Sequence, residues 1–216
     1  MVWGDNKLNI LAHRGYWLKP EEKNTRIAFE RALSLGFGIE SDVRDYLGNL
    51  VISHDIPGDS AMPLSEFIAL LEQYPRVSFA LNVKSDGLQL GIKNSRLSQV
   101  SDYYCFDMSV PDTLGYKKTL LPYFTRFSDI EPHASLLEDA SGVWLDNFSD
   151  NDLNTSVLKD FLAKRKRVCM VSPELHGFEY QGYWQCLKEF VQHNPDTAHL
   201  LELCTDFPQD AKEYFS

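Results

Sequence analysis

The sequence predicts an α/β protein and, within that class, a single (β/α)8 TIM barrel. Nine short apolar runs typical of buried strands recur along the chain, with helical patterns between many of them. With 216 residues, the chain fits one domain, residues 1–216, around one hydrophobic core. This length lies near the lower end of the range for such barrels, and a doubly wound open sheet is the alternative.

The strand runs recur along the whole chain. The second and third predict a hairpin around Gly48 and Asn49. If only one of these two belongs to the main sheet, eight parallel strands remain, which is the number that closes a (β/α)8 barrel. The nine runs are 8–13, 38–43, 50–54, 77–84, 103–108, 123–127, 142–148, 168–172 and 199–204.

Four segments between these runs have apolar residues at helical spacing. In the first, residues 24–36, Asn24 is the predicted N-cap and Gly36 the predicted end. Each segment is long enough to connect two parallel strands as a crossover. The other three are 63–75, 154–166 and 181–195.

Composition and charge exclude several classes of protein. With 31 acidic and 21 basic residues, the formal net charge of -10 argues against a nucleic-acid partner. The four cysteines lack metal-binding spacing and are predicted to be buried thiols. No apolar run approaches the roughly 18 residues of a membrane span, and the N-terminus lacks a leader pattern. We therefore expect a cytoplasmic protein without a transmembrane segment, and the oligomeric state stays open.

Two acids, Glu40 and Asp42, lie in the second strand run. Alternate residues of a strand share a face, so these two side chains project together with Arg44. Two acids on an inward face are costly unless a cation neutralises them, and oxygen ligands suit Mg²⁺ or Ca²⁺. The alternative is a half-exposed edge strand on which the acids pair with Arg44 or Arg14.

Imidazole and guanidinium groups follow neighbouring strand runs. His13 and Arg14 end the first run, and His54 ends the third. In a barrel, these side chains lie at the carboxyl-terminal rim of the strands, where barrel enzymes place their active sites.

Several motifs resemble those of the glycerophosphodiester phosphodiesterases, most densely over residues 10–57. The resemblance implies a (β/α)8 barrel, of the kind that phospholipase-like relatives share, which hydrolyses phosphodiesters with one divalent cation. It implies that His13 and His54 are the catalytic acid and base, and that Arg14 holds a phosphate oxygen. Glu40 and Asp42 would bind the metal. The motifs are His13-Arg14-Gly15, Pro20 through Asn24-Thr25, Glu40-Ser41-Asp42, His54-Asp55 and Thr205-Asp206-Phe207-Pro208.

The chain departs from the family pattern in two places. Asn82 stands where the family usually has a third metal-binding acid; its amide oxygen can ligate a cation, but one negative charge is lost. Lys84 shares a face with Asn82 and would reach the phosphate. At the helix entry, either Glu21 keeps the family's acid or Lys23 has replaced it.

Three further polar residues are candidates for substrate binding. Glu174 and His176 follow the run 168–172, and Asp146 lies in the run 142–148. They could bind a sugar or glycerol hydroxyl. The alternative for Glu174 and His176 is a loop shaped by proline and glycine, with polar side chains at its surface.

The sequence thus predicts a metal-dependent phosphodiester hydrolase of lipid metabolism, acting on a small or lipid-derived glycerophosphodiester-like substrate. The alternative is a barrel that binds a phosphorylated ligand without turnover, because Asn82 replaces an acid. The presence of both His13 and His54 favours the enzyme, since binding alone needs no acid–base pair.

Overall fold

The computed structural model describes residues 7–216 and shows an α/β protein with a mixed sheet of ten strands. The described chain forms two compact units. The N-terminal unit is Leu11–Phe124, and the C-terminal unit combines residues 7–10 with Thr125–Ser216. The α/β class is confirmed, whereas a closed (β/α)8 barrel and a single domain over residues 1–216 stay predictions. The expectation that the chain has no leader rests partly on six N-terminal residues that lie outside the described part.

The strands of the N-terminal unit are centred on a long second strand. In chain order they are most of β1 (Asn9–His13), β2 (Gly38–Tyr46), β3 (Asn49–Ile52), β4 (Met62–Pro63), β5 (Ser78–Val83) and β6 (Asp102–Phe106). β2 pairs in parallel with β1 and with β5, and β5 pairs in parallel with β6. β3 and β4 extend from the far end of β2 as antiparallel strands. Parallel neighbours on both sides bury the first six residues of β2, so the edge-strand alternative is wrong.

Helices of the N-terminal unit connect these strands. The first buries Ala28, Phe29, Ala32 and Leu33 on one face, as the apolar spacing predicted. Phe29 packs on Phe67 of the second helix, which in turn packs on Phe79 of β5, with ring centroids 4.6 and 4.9 Å apart. The helices are α1 (Arg26–Ser34), α2 (Leu64–Leu71), α3 (Gln89–Asn94), α4 (Leu97–Val100) and α5 (Val110–Thr119).

The hairpin between β2 and β3 turns one residue earlier than predicted. Tyr46 pairs with Asn49, so the two loop residues are Leu47 and Gly48 rather than Gly48 and Asn49. Both have positive φ, 48° and 80°, as a type I′ turn requires. Leucine rarely adopts this conformation, and the sequence therefore favoured the wrong pair of residues.

In the C-terminal unit, the predicted helical segments 154–166 and 181–195 both form helices between strands, and a third helix that was not predicted follows the last strand. The strands of this unit are most of β7 (Phe124–Phe127), β8 (Gly142–Leu145), β9 (Arg167–Val171) and β10 (Leu201–Thr205), and its helices are α6 (Thr155–Ala163), α7 (Gln181–His193) and α8 (Pro208–Phe215). β8, β9 and β10 are parallel neighbours. The Asn154 side chain caps α6 by accepting a hydrogen bond from the Val157 amide.

Two expectations about the whole chain can be compared with residues 7–216. Three of the four cysteines are buried and the fourth, Cys186, is partly exposed, and all four are free thiols. Among the helices of residues 7–216, none combines the length and apolar character that a membrane-spanning helix needs.

Candidate active site

A tight turn at the end of β1 places Arg14 beside β2. Arg14 and Gly15 both have positive φ, 57° and 85°. A Cβ at position 15 would lie 2.9 Å from the Ala28 carbonyl carbon, so the close approach of α1 leaves room only for glycine. The Arg14 amide donates to the Glu40 carbonyl at 2.8 Å, which fixes the turn on β2.

Glu40 and Asp42 are the two buried acids of β2. Each lies opposite a residue that the sequence analysis assigned to the same site. In the strand register, His13 is opposite Glu40, and Asn82 of β5 is opposite Asp42. The His13 Nε2 atom is 3.9 Å from the nearer carboxylate oxygen of Glu40. The predicted convergence of Glu40 and Asp42 is therefore present in the structure.

Cationic side chains neutralise Asp42 from two sides. Arg14 Nε lies 3.3 Å from Asp42 Oδ2, and Lys84 Nζ lies 3.5 Å from Asp42 Oδ1. Lys84 Nζ is also 3.5 Å from a carboxylate oxygen of Asp107. Because Asp42 is fully buried, these charges act through a medium in which water screens them weakly.

The negative charge of an ionised Glu40 is less well neutralised by its neighbours than that of Asp42. Burial, together with the negative charge of Asp42, raises the pKa of Glu40 to about 8, although Arg14, Lys84 and a hydrogen bond from Asn82 act in the opposite direction. Near neutral pH the carboxyl therefore keeps its proton unless further positive charge arrives. A divalent cation is one source of such charge.

Asn24 belongs to this cluster, contrary to its predicted role as a helix N-cap. Thr25 is the N-cap residue of α1, and Asn24 precedes it with φ of 59°. The Asn24 amide donates to Asp42 Oδ2 at 2.7 Å and accepts from the Ser41 hydroxyl at 2.7 Å. The family-like Asn24-Thr25 motif was the signal that could have revealed this role.

At the helix entry, Glu22, which was neither of the two candidates, makes contacts that shape the loop. The Glu22 carboxylate accepts from the Leu18 amide at 2.9 Å and from Arg31 at 2.8 Å, which shapes the loop between β1 and α1. Lys23 lies over the Trp17 ring, 4.3 Å from its centroid. The choice between Glu21 and Lys23 as the successor of the family's acid stays open.

His54 lies on a cleft of about 480 Å³ whose lining also includes Arg14 and Asn24. The half-exposed imidazole contacts Asp55 through Nδ1, 2.9 Å from the carboxylate, and this hydrogen bond lowers the pKa of Asp55. Arg44 Nε donates to the His54 carbonyl at 3.0 Å, which anchors the backbone. Since Arg14 and Asn24 also contact Asp42, the cleft adjoins the buried acids.

The donor atoms at β2 and β5 suit a hard cation. Asp42 Oδ1 and Asn82 Oδ1 are buried and accept no hydrogen bond from the described residues. The two residues are directly opposite each other, and Glu40 adds a third oxygen donor. Within residues 7–216, no group of three or more His, Cys, Asp or Glu side chains is arranged to hold a metal ion. The predicted ligand set contains two acids only, because Asn82 takes the third place.

The structure places the remaining three candidates in the C-terminal unit. His176 Nε2 is 2.7 Å from Asp146 Oδ1, and this hydrogen bond raises the pKa of His176. The Glu174 carboxylate accepts from the Ser172 and Thr205 hydroxyls and, at 3.1 Å, from the Asp206 amide. Asp146 and His176 therefore contact each other, whereas the Glu174 carboxylate is hydrogen-bonded to neighbouring protein groups.

The fold and this cluster define an α/β protein whose acids and cations gather at the carboxyl ends of parallel strands. No protein-family model and no curated protein matches the chain. Solved structures do match, and among them are two glycerophosphodiester phosphodiesterases and a phosphodiesterase. At 16–18% identity, the similarity establishes the fold that they share with this chain.

Three of these structures cover almost the whole chain. The glycerophosphodiester phosphodiesterase from Parabacteroides distasonis is 17% identical with a TM-score of 0.63, over 98% of this chain and 97% of that one. The enzyme of the same name from Agrobacterium tumefaciens is 16% identical with a TM-score of 0.64, over 96% and 97%. A phosphodiesterase from Oleispira antarctica, solved with its product sn-glycerol-3-phosphate, is 18% identical with a TM-score of 0.63, over 95% and 96%.

Proposed function

We propose that this protein is a metal-dependent phosphodiester hydrolase acting on a small or lipid-derived glycerophosphodiester-like substrate. The observation that carries the proposal is the convergence of His13, Arg14 and Lys84 on the buried acids Glu40 and Asp42. The product bound to the Oleispira antarctica phosphodiesterase, sn-glycerol-3-phosphate, supports a substrate of this class. A cytoplasmic location and a role in lipid metabolism remain predictions from the sequence.

We also propose that the strands belong to one (β/α)8 barrel. The parallel run β1, β2, β5 and β6 supports it, as does the parallel run β8, β9 and β10. Cys105 of β6 forms a parallel bridge with Tyr123, the residue that directly precedes β7. Eight parallel strands in this order are what a closed barrel requires.

Arg14 and Lys84 are the groups that would bind the phosphate. A phosphodiester carries a negative charge that repels nucleophiles, and a guanidinium and an ammonium group offset it. Both side chains are held in place by Asp42, at 3.3 and 3.5 Å, so little side-chain entropy would be lost on binding.

His13 and His54 would transfer the protons. If His54 donates through Nδ1 to Asp55, its Nε2 atom carries the lone pair and can remove the proton of the attacking hydroxyl, from water or from a neighbouring alcohol of the substrate. His13, whose Nε2 atom lies 3.9 Å from the Glu40 carboxylate, would then protonate the leaving alkoxide. If the attacking hydroxyl is the neighbouring alcohol of the substrate, the first product is a cyclic phosphate. The two imidazoles would then exchange roles when water opens this cyclic phosphate.

Glu40, Asp42 and Asn82 would hold one divalent cation, Mg²⁺ or Ca²⁺. The buried Asp42 and Asn82 oxygens that accept no hydrogen bond from residues 7–216 support this assignment. When bound, the cation would supply positive charge to the phosphate oxygens. Glu40 would release its proton on binding, since ligating carboxylates are ionised.

A second candidate function is binding of a phosphorylated ligand without turnover. The observation that favours it is Asn82, which leaves two acids where the family usually has three. Loss of one negative charge weakens cation binding. If the cation no longer binds, hydrolysis is lost before binding of the phosphorylated ligand is lost.

Hydrolysis assays separate the two candidates. The purified chain is incubated with glycerophosphocholine and with bis(p-nitrophenyl) phosphate, in Mg²⁺, Mn²⁺ or Ca²⁺ and with an EDTA control. We expect cation-dependent hydrolysis that EDTA abolishes. A folded protein that is inert with every metal and both substrates, yet binds glycerol phosphate in calorimetry, would support the binding function instead.

A further inference from the structure

A cavity of about 230 Å³ lies within the C-terminal unit, at the carboxyl ends of three neighbouring strands. The last residue of each strand lines it: Phe127 of β7, Leu145 of β8 and Val171 of β9. The volume is that of about eight water molecules, which is room for a small organic molecule. Apolar walls that carry a few polar groups are typical of small-molecule sites.

A buried hydroxyl without a partner belongs to the wall of this cavity. Tyr183 of α7 lines the cavity and is only 4% exposed, and its hydroxyl makes no hydrogen bond with residues 7–216. Burial, together with the negative charge of Asp146, raises the pKa of this hydroxyl. Asp146 lines the same cavity, which places the hydroxyl at the cavity wall. Because buried hydroxyl groups are normally paired, this one is available to a ligand.

Among the described residues, the charged side chains that line the cavity are all acidic. They are Asp129, Asp146 and Asp152. His176 offsets one of these charges, since its Nε2 atom is 2.7 Å from Asp146 Oδ1. From the described residues, Asp129 accepts hydrogen bonds of a backbone amide and a serine hydroxyl, which are neutral donors. The cavity wall therefore keeps a net negative charge when His176 is protonated.

We propose that this cavity binds a small organic cation, an alkylammonium ion of about the size of ethanolamine. The acids attract its positive charge, and the aromatic rings of Phe127 and Tyr183 in the wall favour a cation as well. The Tyr183 hydroxyl would accept a hydrogen bond from the ammonium group. All residues of this site are in the C-terminal unit, and the inference does not rest on the proposed function.

A bare metal ion fits this cavity less well than an organic cation does. Within residues 7–216, no group of three or more His, Cys, Asp or Glu side chains is arranged to hold a metal. The cavity is also much larger than one ion, and its apolar walls at Leu145 and Val171 offer no ligand atoms.

The test measures binding of ethanolamine to the full chain by ligand-observed NMR titration. Ethylene glycol has the same number of non-hydrogen atoms without the charge, and acetate carries the opposite charge. We expect ethanolamine to bind with a Kd on the order of 1 mM, ethylene glycol at least about tenfold more weakly, and acetate not at all. Ethylene glycol or acetate binding as tightly as ethanolamine would overturn the inference.

Two variants locate the bound cation. Tyr183→Phe removes only the hydroxyl, and Asp152→Asn removes only a charge; each should weaken ethanolamine binding about fivefold. Because the hydroxyl has no partner within residues 7–216, Tyr183→Phe should not lower the melting temperature. Tyr214→Phe and Asp160→Asn make the same chemical changes outside the cavity, in the same unit, and should leave the affinity unchanged.

Two results would assign the cavity to solvent. Ethanolamine that binds the Tyr183 and Asp152 variants as tightly as the unaltered chain binds elsewhere, which would overturn the inference. No detectable binding to the unaltered chain would leave water as the occupant and would overturn it as well. Neither result bears on hydrolysis at Glu40 and Asp42, which the assays with glycerophosphocholine test separately.

Discussion

Buried acids occur in both units of this protein, and they are satisfied to different degrees. Glu202 of β10 is 1% exposed, and its Oε1 atom accepts from Arg167 at 2.7 Å and from Asn9 at 3.1 Å. Glu40 of β2 is equally buried, but His13 is 3.9 Å away, the Arg14 amide is 3.3 Å away, and its side-chain hydrogen bond comes from the neutral Asn82. A carboxylate with close, complete partners contributes to the fold, whereas one with longer contacts keeps its capacity for a ligand.

The largest expected effect concerns the two imidazoles to which the proposal assigns proton transfer. His13→Ala and His54→Ala should each lower kcat/KM for phosphodiester hydrolysis by about 10²–10⁴-fold, because each removes one proton-transfer group. His193→Ala, on the exposed end of α7, is the control and should keep full activity. If either the His13 or the His54 variant kept its activity, the catalytic role proposed for that histidine would be wrong.

Breaking the Glu202 pair should affect stability rather than activity. Glu202→Gln leaves Arg167 as a partly buried cation without its counter-charge, at a cost of about 3 kcal/mol in the free energy of unfolding. Urea denaturation measures the change. Glu66→Gln, which disturbs the exposed pair with Arg26, should cost less than about 0.5 kcal/mol. Similar costs for the two variants would refute the contrast between buried and exposed pairs.

Stability should depend on pH through Glu40. The raised pKa, about 8 against an ordinary 4.5, means that between these values the unfolded chain has lost a proton that the folded protein keeps. The contribution of Glu40 to stability therefore falls as pH rises, by about 1.4 kcal/mol per pH unit in this range. Above pH 8 the contribution no longer changes.

The matching variant is Glu40→Gln, which cannot ionise. Its melting temperature relative to the unaltered chain should rise steadily from pH 5 to pH 8, measured by thermal unfolding in EDTA. Added Mg²⁺ should reduce the difference at pH 8 by stabilising the ionised carboxylate. A difference independent of pH would mean that Glu40 ionises normally in the folded protein.

The smallest expected effect tests the backbone at Asn24. Because its φ is 59°, Asn24→Ala should be less stable than Asn24→Gly by about 1 kcal/mol. Both variants lose the hydrogen bond to Asp42, so both should lower activity to a similar extent. An alanine variant as stable as the glycine variant would show that the backbone relaxes at this position.

Much of the fold could be predicted because it follows from local patterns. All nine predicted strands are present, since apolar runs bounded by polar turns specify buried strands. α5 was not predicted: only Thr113 and Tyr116 of this helix are buried, and the apolar spacing that reveals an amphipathic helix is therefore weak.

The candidate site could be predicted only in part, for a different reason. Glu40, Asp42 and Lys84 could be predicted from the sequence, because alternation along a strand fixes which side chains share a face. Asn24 was predicted as a helix N-cap and not as a member of the cluster, because its position depends on a positive φ. Non-glycine residues with positive φ have no reliable sequence signature.

The backbone amide of Asn24 donates a hydrogen bond to the Arg14 carbonyl, 2.9 Å long, and this bond affects which changes in loop length the protein can tolerate. The segment between the two residues is a loop tied at its base. Adding or removing residues in such a loop changes its closure entropy only slightly and leaves both ends where they are. The loop around Glu22 can therefore vary in length while the groups that contact Asp42 stay fixed.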